Sequence, residues 1–153
     1  MMKDLQELIR KIVSQAEILK NNHTLEKDAL VNYACVFSQS REEYKTLLEV
    51  ANLLGKVIKE TPTGLLFYIK TIDTSAGPLK LLKIRISDPT RPERGDADFT
   101  INNYSSFKNK YLSLPGFKLI KRDNMEMIEL KDFNFNVRAY FSNPPLDQQL
   151  NIR

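Results

Sequence analysis

The chain has 153 residues, of which 42% are hydrophobic and 27% charged, with 23 Lys and Arg set against 19 Asp and Glu. This is one domain's length with an ordinary globular balance, which excludes a wholly disordered polymer and gives no reason to expect several domains. The net charge of +4 is interleaved, without a run of five like charges, so nucleic acid is not the expected partner; a binder of it would gather Lys and Arg on one face or helix. Apolar runs fall far short of the ~20 residues that cross a bilayer, and MMKDLQELIRKIV has acidic residues where an export signal is uninterruptedly apolar. With Cys35 as the only cysteine, an intramolecular disulfide is ruled out. A reducing cytoplasm, away from membranes, is the expected location.

The first element reads as a helix. Leu5, Leu8, Ile9, Ile12, Val13, Ala16 and Leu19 recur at spacings of three and four among charged and polar neighbours, and Lys20, Asn21 and Asn22 end the pattern. Such a stripe covers either the domain's own core or a partner's groove. A strand is expected over 32–37. Ser40 and Glu43 then form S-x-x-E, a capping box opening a helix through Tyr44, Leu47, Leu48, Ala51 and Leu54. Gly55 stands where a helix would end in a left-handed residue. Strands follow over 56–60, 65–70 and 79–86, separated by the turn Thr61-Pro62-Thr63-Gly64 and a break at Thr74–Pro78.

A polar stretch with two prolines, 87–95, reads as a linker, and the order then begins again. A strand is expected over 97–101, a helix over 104–112 carrying Phe107, Tyr111 and Leu112, then strands over 117–121, 125–130 and 135–141. Tyr44 falls opposite Phe107 and Gly55 opposite Gly116 when the halves are overlaid. A period of about 60 to 65 residues suggests duplication of one supersecondary unit. The expected class is therefore α+β: two β-α-β-β-β modules, at 30–86 and 96–141, joined by the linker 87–95. They are preceded by a helix and connector at 1–29 and followed by a tail at 142–153, all in one domain.

Paired modules of this order resemble the glyoxalase, or vicinal-oxygen-chelate, superfamily over about residues 30 to 141. The N-terminal helical segment and the Pro-rich linker between the fourth and fifth strands look most like its poorly characterised bacterial YecM-like branch. The resemblance implies half-barrels whose first and last strands point metal ligands, usually His, Glu or Gln, inward. Carried over, those positions are Tyr33, Asp98 and about Phe141, and none is a histidine. The only histidine, His23, precedes the first module. No cofactor is expected. A divalent cation, were one held, would be Mg²⁺ or Mn²⁺ on Asp98 with Glu126 or Glu129, because hard cations accept oxygen ligands.

Strand alternation assigns faces independently of any family. Ala97, Phe99 and Ile101 should lie under the helices, leaving Asp96, Asp98, Thr100 and Asn102 on the concave side. By the same parity Leu82, Ile84 and Ile86 go to the helices, and Leu81, Lys83 and Arg85 to the concavity. Phe135, Val137, Ala139 and Phe141 go to the core, and Asn136, Arg138 and Tyr140 to the concavity. Tyr33 and Cys35 join the concave set by equivalence with Asp98. The expected groove is lined by Tyr33, Lys83, Arg85, Asp98, Thr100, Arg138 and Tyr140. Arg grips carboxylate or phosphate through paired hydrogen bonds, so a small anionic ligand is the sharp expectation. The plainer one is a solvated face whose Arg and Asp pair across strands.

Other chemistries have less to stand on. Cys35 sits mid-strand among apolar neighbours with no histidine to activate it, and five glycines fall in no G-x-G or G-K-[ST] setting. Arg91, Glu93, Arg94 and Asp96 alternate in sign and are expected to satisfy each other or water. The leading functional expectation is a small-anion binder of glyoxalase-like fold with no catalytic metal. The alternatives are an oxygen-ligated metal-dependent lyase or isomerase, and an interaction module docking through the N-terminal helix. A homodimer is compatible with any of the three.

Overall fold

The computed structural model describes residues 1–152. Helix α1 (Met2–His23) turns Leu5, Ile9, Ile12, Val13, Ala16 and Leu19 inward, each almost fully buried. Its apolar stripe is thus spent on the domain's own core. The helix runs three residues beyond Lys20 because Lys20 is not an exposed terminator. Its side chain is fully buried, with Nζ donating to Asn21 Oδ1 at 2.7 Å and to the Glu26 carbonyl, and it sits over the Phe99 ring. Thr24 closes the end, its backbone N–H and Oγ1 both donating to the Lys20 carbonyl.

Eight strands and two further helices of eight or more residues follow. They are β1 (Val31–Phe37), α2 (Arg41–Leu54), β2 (Gly55–Thr61), β3 (Gly64–Thr74), β4 (Gly77–Arg85), β5 (Gly95–Phe99), α3 (Tyr104–Tyr111), β6 (Phe117–Lys121), β7 (Glu126–Leu130) and β8 (Val137–Asn143). A short α4 (Leu146–Gln149) follows the cis Asn143–Pro144 bond. The strands form one mixed sheet in the order β2-β3-β4-β1-β5-β8-β7-β6. This order reads the same from either edge. The first strand of each half lies at the middle, with the last strand of that half parallel beside it: β1 on β4 and β5 on β8. The two middle strands run antiparallel, placing Tyr33 opposite Asp98 and Cys35 opposite Asp96.

The longer helices cover one face. Ala34, Val36, Leu82, Ile84, Ala97, Phe99, Val137, Ala139 and Phe141 point into that layer and join α1 and α2 in one core. Fully burying a Leu, Ile or Phe side chain contributes roughly 1.5–3 kcal/mol, so this face dominates stability. Ile86, expected there, lies beyond the end of β4 and is 40% exposed. Both later helices are capped as the sequence chemistry demands. Ser40 Oγ accepts from the Glu43 N–H, and Asn103 Oδ1 accepts from the Ser106 N–H.

Several boundaries move, for local reasons. β3 continues past 70 to Thr74 because Asp73 and Thr74 pair with Pro78 and Gly77 across a tight turn, where Gly77 has φ +105°. β8 begins and ends two residues later than expected, because Asp132 and Asn134 fold 131–136 into a turn. Gly55 is not a left-handed helix end. It is the extended first residue of β2, and a Cβ there would lie 2.0 Å from the Tyr68 carbonyl oxygen. Gly116, at φ +91°, does occupy the left-handed region after α3.

Candidate functional site

The face away from the helices carries the polar parity of the strands. On it Tyr33 of β1, Lys83 and Arg85 of β4, Asp96 and Asp98 of β5, and Tyr140 of β8 line a cavity of about 400 Å³. Pro62 and Thr63, from the turn at one sheet edge, line the same space as Ile120 and Arg122 at the other edge. The sheet therefore curls around the cavity, and the linker closes it with Arg91. A second space of about 310 Å³ shares Tyr33, Lys83, Asp98, Arg122 and Met127 with the first and adds Leu66, Met125 and Leu146.

Four cationic side chains (Lys83, Arg85, Arg91 and Arg122) and two carboxyls (Asp96 and Asp98) face the cavity. Its walls are cationic whichever protonation state the acids adopt. Lys83 Nζ donates to Thr63 Oγ1 at 2.6 Å, and burial lowers its pKa. Arg85 reaches Asp88 at 3.6 Å, while its buried Nε meets no acceptor. Arg91 donates to Tyr140 Oη at 3.0 Å and lies over the Phe37 ring.

The two aspartates differ. Asp98 is pinned: its oxygens accept from the Ser142 N–H at 3.2 Å and from Ser142 Oγ. Asp96 is 5% exposed, and its Oδ1 is buried without a partner. Burial pushes both carboxyls up to about 7; the Asp98 charge pushes Asp96 further, while the Ser142 bonds partly hold Asp98 back. Burial also pushes the Tyr33 phenol and the Cys35 thiol well up, keeping both neutral at ordinary pH.

Tyr33, Lys83, Arg85, Asp98 and Tyr140 of the expected set are thus brought together. Two are not. Thr100 lies past the end of β5 and lines a separate space with Asn102, Asn103 and Tyr104. Arg138 is flanked by acids: Nε is ion-paired with Glu93 Oε2 at 3.0 Å without hydrogen-bond alignment, Nη1 donates to Glu129 Oε2 at 3.2 Å, and Nη2 donates to the Thr90 carbonyl. Glu129 Oε2 also accepts from Tyr140 Oη at 2.7 Å. Sequence reasoning put Asp96 on the concave side but left it out of the expected groove, and did not place Arg91 or Arg122 there. Asp96 has the parity of Asp98; Arg91 and Arg122 lie in a linker and a turn, which have no parity to read.

A metal site does not assemble at the positions the resemblance implies. Phe141 points into the helix-side core. Glu126 lies on that side too, bonded to Tyr104 Oη and Lys108 Nζ, opposite in parity to Met127 and Glu129. Glu129 is engaged with Arg138 and Tyr140, two strands from Asp98. Among the described residues no group of three or more His, Cys, Asp or Glu is placed to hold a metal ion. His23 lies outside the cavity, 3.0 Å from Asp132. No helix is long and apolar enough to cross a membrane.

No protein-family model matches the chain, and no curated protein matches it. Among solved structures, a structural-genomics protein, EC4020, superposes with a TM-score of 0.68 at 9% identity, over 92% of this chain and 86% of that one. The chain shares that protein's fold. A triple mutant of 4-hydroxymandelate synthase from Streptomyces coelicolor aligns with a TM-score of 0.34 at 10% identity, over 76% of this chain and 50% of that one.

Proposed function

We propose that the chain is a glyoxalase-like protein of two β-α-β-β-β modules that binds a small anionic molecule on its concave face, with no catalytic metal. The fold reading is supported by the strand order, identical from both edges, and by the parallel pairing of first and last strands within each half. The functional reading rests on one observation. Lys83, Arg85, Arg91 and Arg122 line a single cavity, and Arg85 Nε is buried without an acceptor. An unpaired buried donor costs about 1–3 kcal/mol, and an anion would satisfy it.

Binding of a ligand to the folded state alone stabilises it by about 2.7 kcal/mol at a hundredfold excess over Kd. A thermal-shift screen of small carboxylates and phosphates at low salt, on wild type and on Arg85→Ala/Arg91→Ala, tests this. Stabilisation of wild type that is lost in the double variant is the expected result. Equal stabilisation of both proteins, or an effect that follows ionic strength alone, would reduce the cavity to diffuse screening of a cationic surface.

A further inference from the structure

The anion-binding reading leaves Asp96 unexplained. Its carboxyl is among the best-buried acids of the chain, lines the cavity, and receives no hydrogen bond from any described residue. Its neighbour Asp98, two positions along the same strand, is satisfied twice by Ser142. Lys83 and Arg91, the nearby cations, spend donors on Thr63 and Tyr140. An acid kept out of water, unpaired, and turned to a cavity is an acceptor waiting for a donor.

On that reading, we infer that the ligand is a hydroxy acid: its anionic group meets Arg85 and Arg91, and a neighbouring hydroxyl donates to Asp96. A hydroxyl is favoured over an ammonium because Lys83, Arg85 and Arg91 surround the same space and repel a second cation. The charged group could equally be a carboxylate or a phosphate, since Arg serves both.

Matched pairs that differ in one hydroxyl separate the two levels of the reading. Isothermal titration of the intact chain with malate against succinate, and with glycerol 3-phosphate against propyl phosphate, reads the hydroxyl in each anion class. Wild type should bind the hydroxylated member of at least one pair about tenfold more tightly, and malate more tightly than aspartate. Asp96→Ala should bring that ratio near one while leaving the plain acid bound as well or better, because a competing negative charge is gone. Asp96→Asn, which keeps an acceptor oxygen and nearly the same shape, should retain part of the preference and guards against misfolding of the alanine variant. Equal binding within both pairs, or a preference that survives Asp96→Ala, would overturn the inference and leave anion binding standing. Failure of all five acids to bind would remove both.

Discussion

The two halves of the sheet have the same element order and opposite electrostatics. In β2-β3-β4-β1 the cavity-facing cations Lys83 and Arg85 have few partners, and the corresponding middle strand offers only the neutral Tyr33 and Cys35. In β5-β8-β7-β6 the middle strand supplies two acids, and the cation of β8, Arg138, is locked between Glu93 and Glu129. The last strand of the first half leaves its cations available to a ligand, whereas the last strand of the second neutralises its own; Arg122, beyond β6, is the cation that the second half brings to the cavity. A common scaffold can therefore hold a ligand-facing wall and a structural wall side by side, distinguished by whether acids lie within reach of the arginine.

The largest expected effect tests that distinction. Arg138 and Glu129 are 5% and 6% exposed, so Arg138→Ala strands two partly or fully buried carboxylates. Urea unfolding should show a loss of about 3–5 kcal/mol. Arg85→Ala should cost under about 1 kcal/mol, since its contact with Asp88 is long and partly exposed. Equal losses would erase the contrast between the walls.

A smaller effect lies in the pH dependence that Asp96 and Asp98 confer. Both fold with carboxyls raised to about 7, against an ordinary value near 4, through burial. The folded state therefore keeps protons that the unfolded chain releases. Their contribution is fully present below about pH 4, declines as pH rises, and levels off above about 7. The groups facing them are Tyr33 and Cys35 on β1, Lys83 and Arg85 on β4, Tyr140 on β8, and Arg91 of the linker; the acids are the ones raised to near neutrality. Asp96→Asn should be more stable than wild type at pH 8, by on the order of 2–4 kcal/mol, with the gap closing towards pH 4. A gap that is constant with pH would place the Asp96 carboxyl at its ordinary value.

Much of this was legible in the sequence and some was not, along a physical line. The α+β class, the element order and the cavity parity follow from period-2 and period-3.6 patterns, which burial imposes on every residue of an element. Asp98, Lys83 and Arg85 came with that parity. Thr100 and Arg138 show where parity stops. It gives the face of a residue, yet says neither that β5 ends at Phe99 nor that Glu93 of the linker and Glu129 of β7 close on one guanidinium. Those are long-range contacts with no local signature. Arg91 belongs to the same class, reaching the cavity through a loop whose path only the folded sheet defines.

The overlaid glycines give the next smaller effect. Both follow helices, yet Gly55 is packed against the β3 backbone, where a Cβ would stand 2.0 Å from Tyr68 O and 2.6 Å from Ile69 Cα. Gly116 is required by its φ of +91°, with Lys131 O at 2.8 Å. Gly55→Ala must push two strands apart and should cost about 2–3 kcal/mol, whereas Gly116→Ala pays local backbone strain of about 1–2 kcal/mol. The reverse order in denaturant titrations would mean that β2, an edge strand, yields more easily than the turn.

The smallest effect should be the same in both halves. Ser40 and Asn103 each cap the helix that follows the first strand of their half, and each side chain accepts from the backbone N–H three residues on, at 3.0 and 3.1 Å. Ser40→Ala and Asn103→Ala each remove one such bond, for an expected loss of about 1 kcal/mol. One difference could split them. Glu43, at the third position of α2, turns back to accept from the Gln39 N–H and pairs with Arg94 at 2.6 Å, while Ser106 at the matching place in α3 has no such side chain. If that second tie holds the start of α2 by itself, Ser40→Ala will cost less than Asn103→Ala, and the double variant Ser40→Ala/Glu43→Ala will cost more than the sum of the two single changes. A double-mutant cycle on Ser40 and Glu43 measures this coupling. Additive losses, equal to the Asn103→Ala loss at the cap, would place the two helix starts on the same footing and confine the asymmetry of the halves to the cavity face.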